Sequence, residues 1–263
     1  MSGARRPAAA GTFYPGERRP LLETVDALLA DARPSVLPAA PVGIVAPHAG
    51  YAYSGPVAAT AYVLLRELEI ARVALFGPAH FVALRGTAAP NADAWRTPLG
   101  DVPVDAELRE VALAHGAAAD DFPHGPEHSL EVQLPFLQRT LVGNFSVLPV
   151  VVGLSGPEEV AELIAALLPL AFVVVSTDLS HYLDDATAKW RDRRTADAVL
   201  ARDPGAIGPE DACGSSALRG VVELARREDL EISLLDLRTS ADTAGDPWRV
   251  VGYGAFAITP RTR

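Results

Sequence analysis

Gly43-Ile44-Val45-Ala46-Pro47-His48-Ala49-Gly50-Tyr51 is the stretch on which the fold turns. Its short apolar run, bounded by Pro41 and Pro47, reads as a buried strand rather than a helix. The strand stops at a proline, presents a histidine and turns at a glycine, and a helical pattern follows from Pro56 to Leu68. The pattern recurs in Arg72-Val73-Ala74-Leu75-Phe76-Gly77-Pro78-Ala79-His80, and again from Ala171 through Val175 into Ser176-Thr177-Asp178-Leu179-Ser180-His181. If these three strands share one parallel sheet, their carboxyl ends converge on one rim, where ligands of open α/β sheets bind.

Working outward, residues 1–19 read as irregular, with a turn at Thr12-Phe13-Tyr14-Pro15-Gly16. A helix fits Pro20 to Asp31, with Leu21, Leu22, Val25, Leu28 and Leu29 on one face. Phe81 to Pro90 reads as loop or edge strand, and Ala94 to Val102 as a hairpin. A helix from Val104 to His115 has Asp105 as N-cap. Leu130 to Leu141 carries a helical leucine stripe interrupted by Pro135, which predicts a kink or two short helices. A strand over Phe145–Val152 and helices over 157–168 and 187–200 follow, then a helix opened by Asp211-Ala212-Cys213-Gly214-Ser215 and running to Arg227, then strands over Ile232–Leu237 and Arg249–Thr259. This alternation predicts a single three-layer α/β domain over residues 1–263, built on a mostly parallel central sheet.

The 263 residues are enough to bury a large core. The net charge of −10 and the scattered basic residues argue against nucleic-acid binding. One cysteine, Cys213, excludes an intramolecular disulfide and fits a reducing compartment. No stretch has the form of a signal peptide, and none approaches the roughly 18 apolar residues of a membrane helix. The expectation is a soluble, cytoplasmic protein.

Five of the six histidines fall in turns or at element starts: His48, His80, His124, His128 and His181. His115 reads as a cation at a helix C-terminus, and His124 as a loop residue open to either a surface or a functional role. Cys213 has three readings. It is a small buried hydrophobe, a thiolate favoured by the following helix N-terminus and available to a soft metal, or a hydrolytic nucleophile. Asp178 either caps its turn or orients an imidazole. Glu127-His128 either caps a helix or supplies a base or a group behind a ligand, and Tyr51 and Tyr53 offer hydroxyls or packing. No dinucleotide-binding G-x-G-x-x-G, Walker A, H-E-x-x-H or G-x-S-x-G motif occurs.

Several segments together resemble the Memo family, whose bacterial and archaeal members are called AmmeMemoRadiSam system protein B. They are Arg6 to Pro15, Pro47-His48-Ala49-Gly50-Tyr51, Gly77-Pro78-Ala79-His80, Glu127 to Leu137, Ser176 to Tyr182 and Val251-Gly252-Tyr253-Gly254. The resemblance implies a fold like that of the class III (LigB-type) extradiol dioxygenases. It also implies a metal site of His48, His80 and Cys213 holding iron or copper, with zinc a further candidate. His181, Asp178 and His128 take the catalytic positions by the same resemblance. Cysteine stands where the dioxygenases have a carboxylate, so their activity does not carry over. Two function classes stay open, an oxygen-dependent metal oxidoreductase and a non-catalytic metal-binding or adaptor protein. The system name implies an AMMECR-type protein and a radical-SAM protein as partners.

Overall fold

The computed structural model describes residues 3–261. In chain order its elements are β1 (Ala4–Arg5), α1 (Arg18–Asp31), β2 (Gly43–Ala46), α2 (Tyr51–Tyr62), β3 (Arg72–Pro78), β4 (Thr87–Ala89), β5 (Ala94–Thr97) and β6 (Gly100–Pro103). There follow α3 (Ala106–Ala114), β7 (Ala118–Ala119), α4 (Leu134–Thr140), β8 (Ser146–Val152), α5 (Pro157–Leu167), β9 (Phe172–Ser176) and β10 (His181–Leu183). The chain closes with α6 (Asp185–Leu200), α7 (Ser215–Arg227), β11 (Leu230–Thr239) and β12 (Val250–Pro260).

The main sheet runs β10-β12-β2-β9-β3-β8-β4-β7, with β11 on the other side of β12. Its centre, β2-β9-β3-β8, is parallel throughout, and antiparallel strands flank it. Both faces are covered, so the central strands are apolar at nearly every position, as buried parallel strands must be. Alternate side chains serve opposite faces. Ile44, Val73, Leu75 and Val174 pack with α1, α2 and α4, whereas Val45, Ala74, Phe76 and Val175 pack with α3, α5, α6 and α7. The hairpin β5–β6 joins β1 in a separate three-stranded sheet.

One expectation changes. The helix after the first histidine turn begins at Tyr51, five residues ahead of Pro56, and carries that proline in its interior before tightening into a 3₁₀ turn at Val63–Glu67. Proline usually marks a first turn because it lacks an N–H; here Gly50 is the N-cap and no side chain caps the end. Pro135, in contrast, does divide its segment, into a 3₁₀ turn at Glu131–Gln133 and α4. Among the described residues, no helix is long and apolar enough to cross a membrane.

Candidate metal centre

The strand order decides the site. β2, β9 and β3 are neighbours, so His48, His80 and the segment after Ser176 leave the sheet along one rim. The segment Thr177–Ser180 passes from the end of β9 over the end of β2 to β12. Thr177 N donates to Ala46 O (3.0 Å), Leu179 N to Gly252 O (2.8 Å), and Gly252 N to Ser180 O (2.8 Å). This crossing places the Asp178 carboxylate under the first histidine turn, where His48 N donates to Oδ1 at 2.7 Å. Burial raises the Asp178 carboxyl, and the backbone donors oppose it.

His48 is only 2% exposed. Its ring is oriented by Ser176, whose hydroxyl gives its one proton to Ser129 O (2.6 Å) and accepts from Gln133 Nε2 (2.8 Å). The 2.9 Å contact between Ser176 Oγ and His48 Nδ1 therefore has the imidazole as donor. That fixes the proton on Nδ1 and leaves the lone pair on Nε2. Burial, with His80, His128 and His181 nearby, pushes the His48 pKa well down, so the ring is neutral.

His80 follows the same logic with a different partner. Its N–H donates to Glu127 Oε2 (2.7 Å) and its Nδ1 lies 2.9 Å from Oε1. Burial alone would raise the Glu127 carboxyl, but hydrogen bonds from His80 and the Ser129 backbone outweigh it and hold the group at about 2. An ionised carboxylate accepts, so His80 Nδ1 donates and Nε2 is again free. In metal sites a histidine's second nitrogen is commonly held by such a partner, fixing ring orientation and raising basicity.

One ring nitrogen from each of His48, His80 and His128 lies within 4.8 Å of the other two. His128 stacks on His80, with centroids 4.7 Å apart, and packs tilted against Phe13 at 4.2 Å. Its buried Nδ1 makes no hydrogen bond, although Glu127 Oε1 is 3.4 Å away. Burial lowers its pKa to about 4.

Cys213 approaches the same cluster from the loop before α7. Its Sγ is 3.2 Å from His48 Nε2, and Asp178 N donates to it at 3.3 Å. The expectation of a thiolate favoured by the helix N-terminus is corrected. Burial pushes the Cys213 thiol up, the Asp178 charge adds to this, and hydrogen bonds compensate only in part. With His48 pushed down as well, a neutral thiol–imidazole pair is favoured over the ion pair a hydrolytic nucleophile needs.

His181 begins β10, which pairs with β12 beyond the carboxyl end of β2. Its Nδ1 lies 2.8 Å from Leu179 O, an acceptor, so Nε2 carries the lone pair. His124 has a structural place, buried against Trp95 with Nε2 3.1 Å from Ala88 O. His115 closes α3 as its C-cap, bonded to Val111 O.

Sequence reasoning missed Glu131 and Arg5. Buried Glu131 accepts from Arg5 Nη1 (2.7 Å), Ala8 N (2.7 Å), Ala9 N (2.9 Å) and Tyr14 OH (2.6 Å). Arg5 also donates to the His124 and Glu127 carbonyls and lies over Trp95. Together they tie the first residues to the His128 loop and set Phe13 on His128. A carboxylate at the start of a short helix looks like an ordinary solvated one, so its spacing gave no signal.

The set whose ligand atoms lie close enough together to hold one metal ion is His48, His80 and His128; the expected third ligand, Cys213, stands outside it, near His48 alone. Two imidazoles present free Nε2 lone pairs with their other nitrogens engaged, and a thiol stands within 3.2 Å of one of them.

A family described as Memo-like protein matches residues 5–257. A MEMO1 family protein of Thermotoga sp. (strain RQ2) is 37% identical over 273 residues, covering 95% of this chain and 97% of the relative. A MEMO1 family protein of Methanococcoides burtonii is 33% identical over 268 residues, covering 97% and 99%. The crystal structure of an uncharacterized protein from Escherichia coli is similar with a TM-score of 0.51 at 12% identity, covering 81% of this chain and 98% of that one. This last likeness concerns the fold alone.

Proposed function

The chain belongs to the Memo-like family, and on that premise we propose that it binds iron or copper through His48, His80 and Cys213 and serves as an oxygen-dependent metal oxidoreductase. The observation that carries the reading is the pair of oriented imidazoles, with Ser176 and Glu127 taking the Nδ1 protons and Cys213 beside the free Nε2 of His48. Mixed imidazole and thiolate donors suit iron and copper. A metal ion displaces the proton of a coordinating thiol, so ligation by Cys213 releases a proton and strengthens as pH rises. A bound redox-active ion would supply electron transfer and Lewis acidity. The chain's own residues orient the ligands, keep the His48 imidazole neutral and offer His181 Nε2 as a proton acceptor on the same rim.

A ring nitrogen of His128 lies within 4.8 Å of one on each member of this pair, so His128 competes with Cys213 for the role of third ligand. Metal content after anaerobic loading with Fe(II) or Cu(I) separates them. We expect His48→Ala and Cys213→Ser to lose most of the metal and His128→Ala to keep it. Loss in His128→Ala with retention in Cys213→Ser transfers the role to His128. Oxygen uptake by the iron-loaded protein with catechols and small thiols tests turnover; tight binding with no uptake above free metal instead supports the metal-binding, adaptor reading. An AMMECR-type protein and a radical-SAM protein are the proposed partners, tested by co-purification.

A further inference from the structure

A cavity of about 580 Å³ opens on Cys213, between the ends of β3 and β8 and the start of α7. Leu84, Val152 and Leu154 give it an apolar wall, and Arg85 and Ser216 are its polar side chains besides Cys213. The wall is pinned by backbone bonds from Leu154 N to Leu84 O (2.8 Å), Gly153 N to Gly86 O (2.9 Å) and Gly86 N to Leu154 O (3.2 Å). Gly153 and Gly214 have no room for a side chain, since a Cβ would meet Leu84 O at 2.2 Å and Thr177 at 2.8 Å. Leu154 and Arg85 are exposed, so the space is a surface cleft with one pinned wall. Arg85 makes no ion pair among the described residues, although the chain carries 33 acidic side chains against 23 basic ones. The lining holds no second cation and no carboxylate. The fork of a guanidinium suits carboxylate and phosphate alike, but a single cation balances the charge of one carboxylate and leaves a dianionic phosphate half neutralised.

Resting on the metal-centre reading, we infer that this cavity is the substrate site, and that it takes a small monocarboxylate with an apolar body, the carboxylate on Arg85 and the body against Leu84, Val152 and Leu154. The occupant abuts Cys213, which faces both the cavity and His48. The sole cysteine reports on occupancy without ambiguity. The test is the rate at which N-ethylmaleimide labels Cys213 in protein as purified and after metal removal, titrated with hexanoate and with its neutral analogue hexanamide.

Hexanoate slows labelling and hexanamide is weaker by about tenfold or more, the difference expected of a charge-assisted pair. Arg85→Ala removes that difference, and Ala83→Trp, which fills the space from an exposed lining position, removes protection by both. Equal protection by the two probes, an unchanged response in Arg85→Ala, or full protection in Ala83→Trp overturns the assignment. Metal content of His48→Ala is read separately: retained metal sinks the metal centre, whereas lost metal with an intact hexanoate response sinks neither.

Discussion

At the scale of single residues, the centre depends on side chains that hold the ligands as much as on the ligands. Glu127→Gln keeps the shape but replaces a charged acceptor with an amide that can turn its NH₂ toward His80. Loss of such a partner costs about 10–100-fold in metal affinity. We expect that drop in a competition titration with a chelator, with the fold intact by circular dichroism; unchanged affinity would remove Glu127 from the site. His48 and His80 were legible because each follows a strand ending in proline or glycine. Ser176 and Glu127 were quoted in motifs, but their pairing with His48 and His80 joins residues 128 and 47 positions apart, which no local spacing reveals. His48 is also buried, with its backbone N–H on Asp178 and its Nδ1 on Ser176. Its alanine variant should lose some stability as well as metal.

Asp192 supplies a prediction independent of metal. Burial raises its carboxyl to about 6 against the donation from Ser180 N, and Oδ2 has no hydrogen-bond partner. A Cβ on Gly252 would fall 1.9 Å from that oxygen. The folded state holds this proton more tightly than the unfolded chain, whose aspartates titrate near about 3.9. Its stabilisation is therefore complete below about pH 4 and is lost as pH rises through 6, by at most about 3 kcal/mol. Denaturant titrations across pH 4–7 should show that slope in the native protein and a flatter one in Asp192→Asn. Identical slopes would mean the carboxyl is not raised.

At the scale of elements, α7 brings Cys213 to the rim and is seated by Gly220 against α5. A Cβ there would meet Val160 Cγ1 at 2.4 Å. Alanine gains about 1 kcal/mol of helix propensity over glycine, but overpacking costs about 1–3 kcal/mol, and the contact is too short to relax by side-chain motion alone. Gly220→Ala should be net destabilising and weaken metal retention by shifting the loop before α7; a more stable variant would show that the two helices part freely. Long periodic elements were readable: α1, α3, α5 and α7 lie within a few residues of their expected ends. The short strands β1, β7 and β10 were not, because two or three residues carry no period, and their pairing comes from distant partners. The α2 start was misplaced because Pro56 imitates a first turn.

At the scale of the whole molecule, the recurring strand-turn-histidine pattern predicted convergence on one rim, and the order β2-β9-β3 provides it. What the pattern lacked was the other wall, assembled from Arg5, Tyr14 and Glu131 and closed by Phe13 on His128. Removing one partner of a buried charged pair costs about 3–5 kcal/mol, so Glu131→Ala should destabilise the protein by that order in chemical denaturation. A loss under about 1 kcal/mol would mean the first residues are not anchored through this carboxylate.

The centre itself is tested most directly by X-ray absorption at the metal edge of the anaerobically loaded protein. We predict imidazole scattering together with one sulfur at about 2.3 Å, the usual length of a metal–thiolate bond, and loss of that sulfur shell in Cys213→Ser. A first shell of nitrogen and oxygen alone in the unmodified protein would contradict ligation by Cys213.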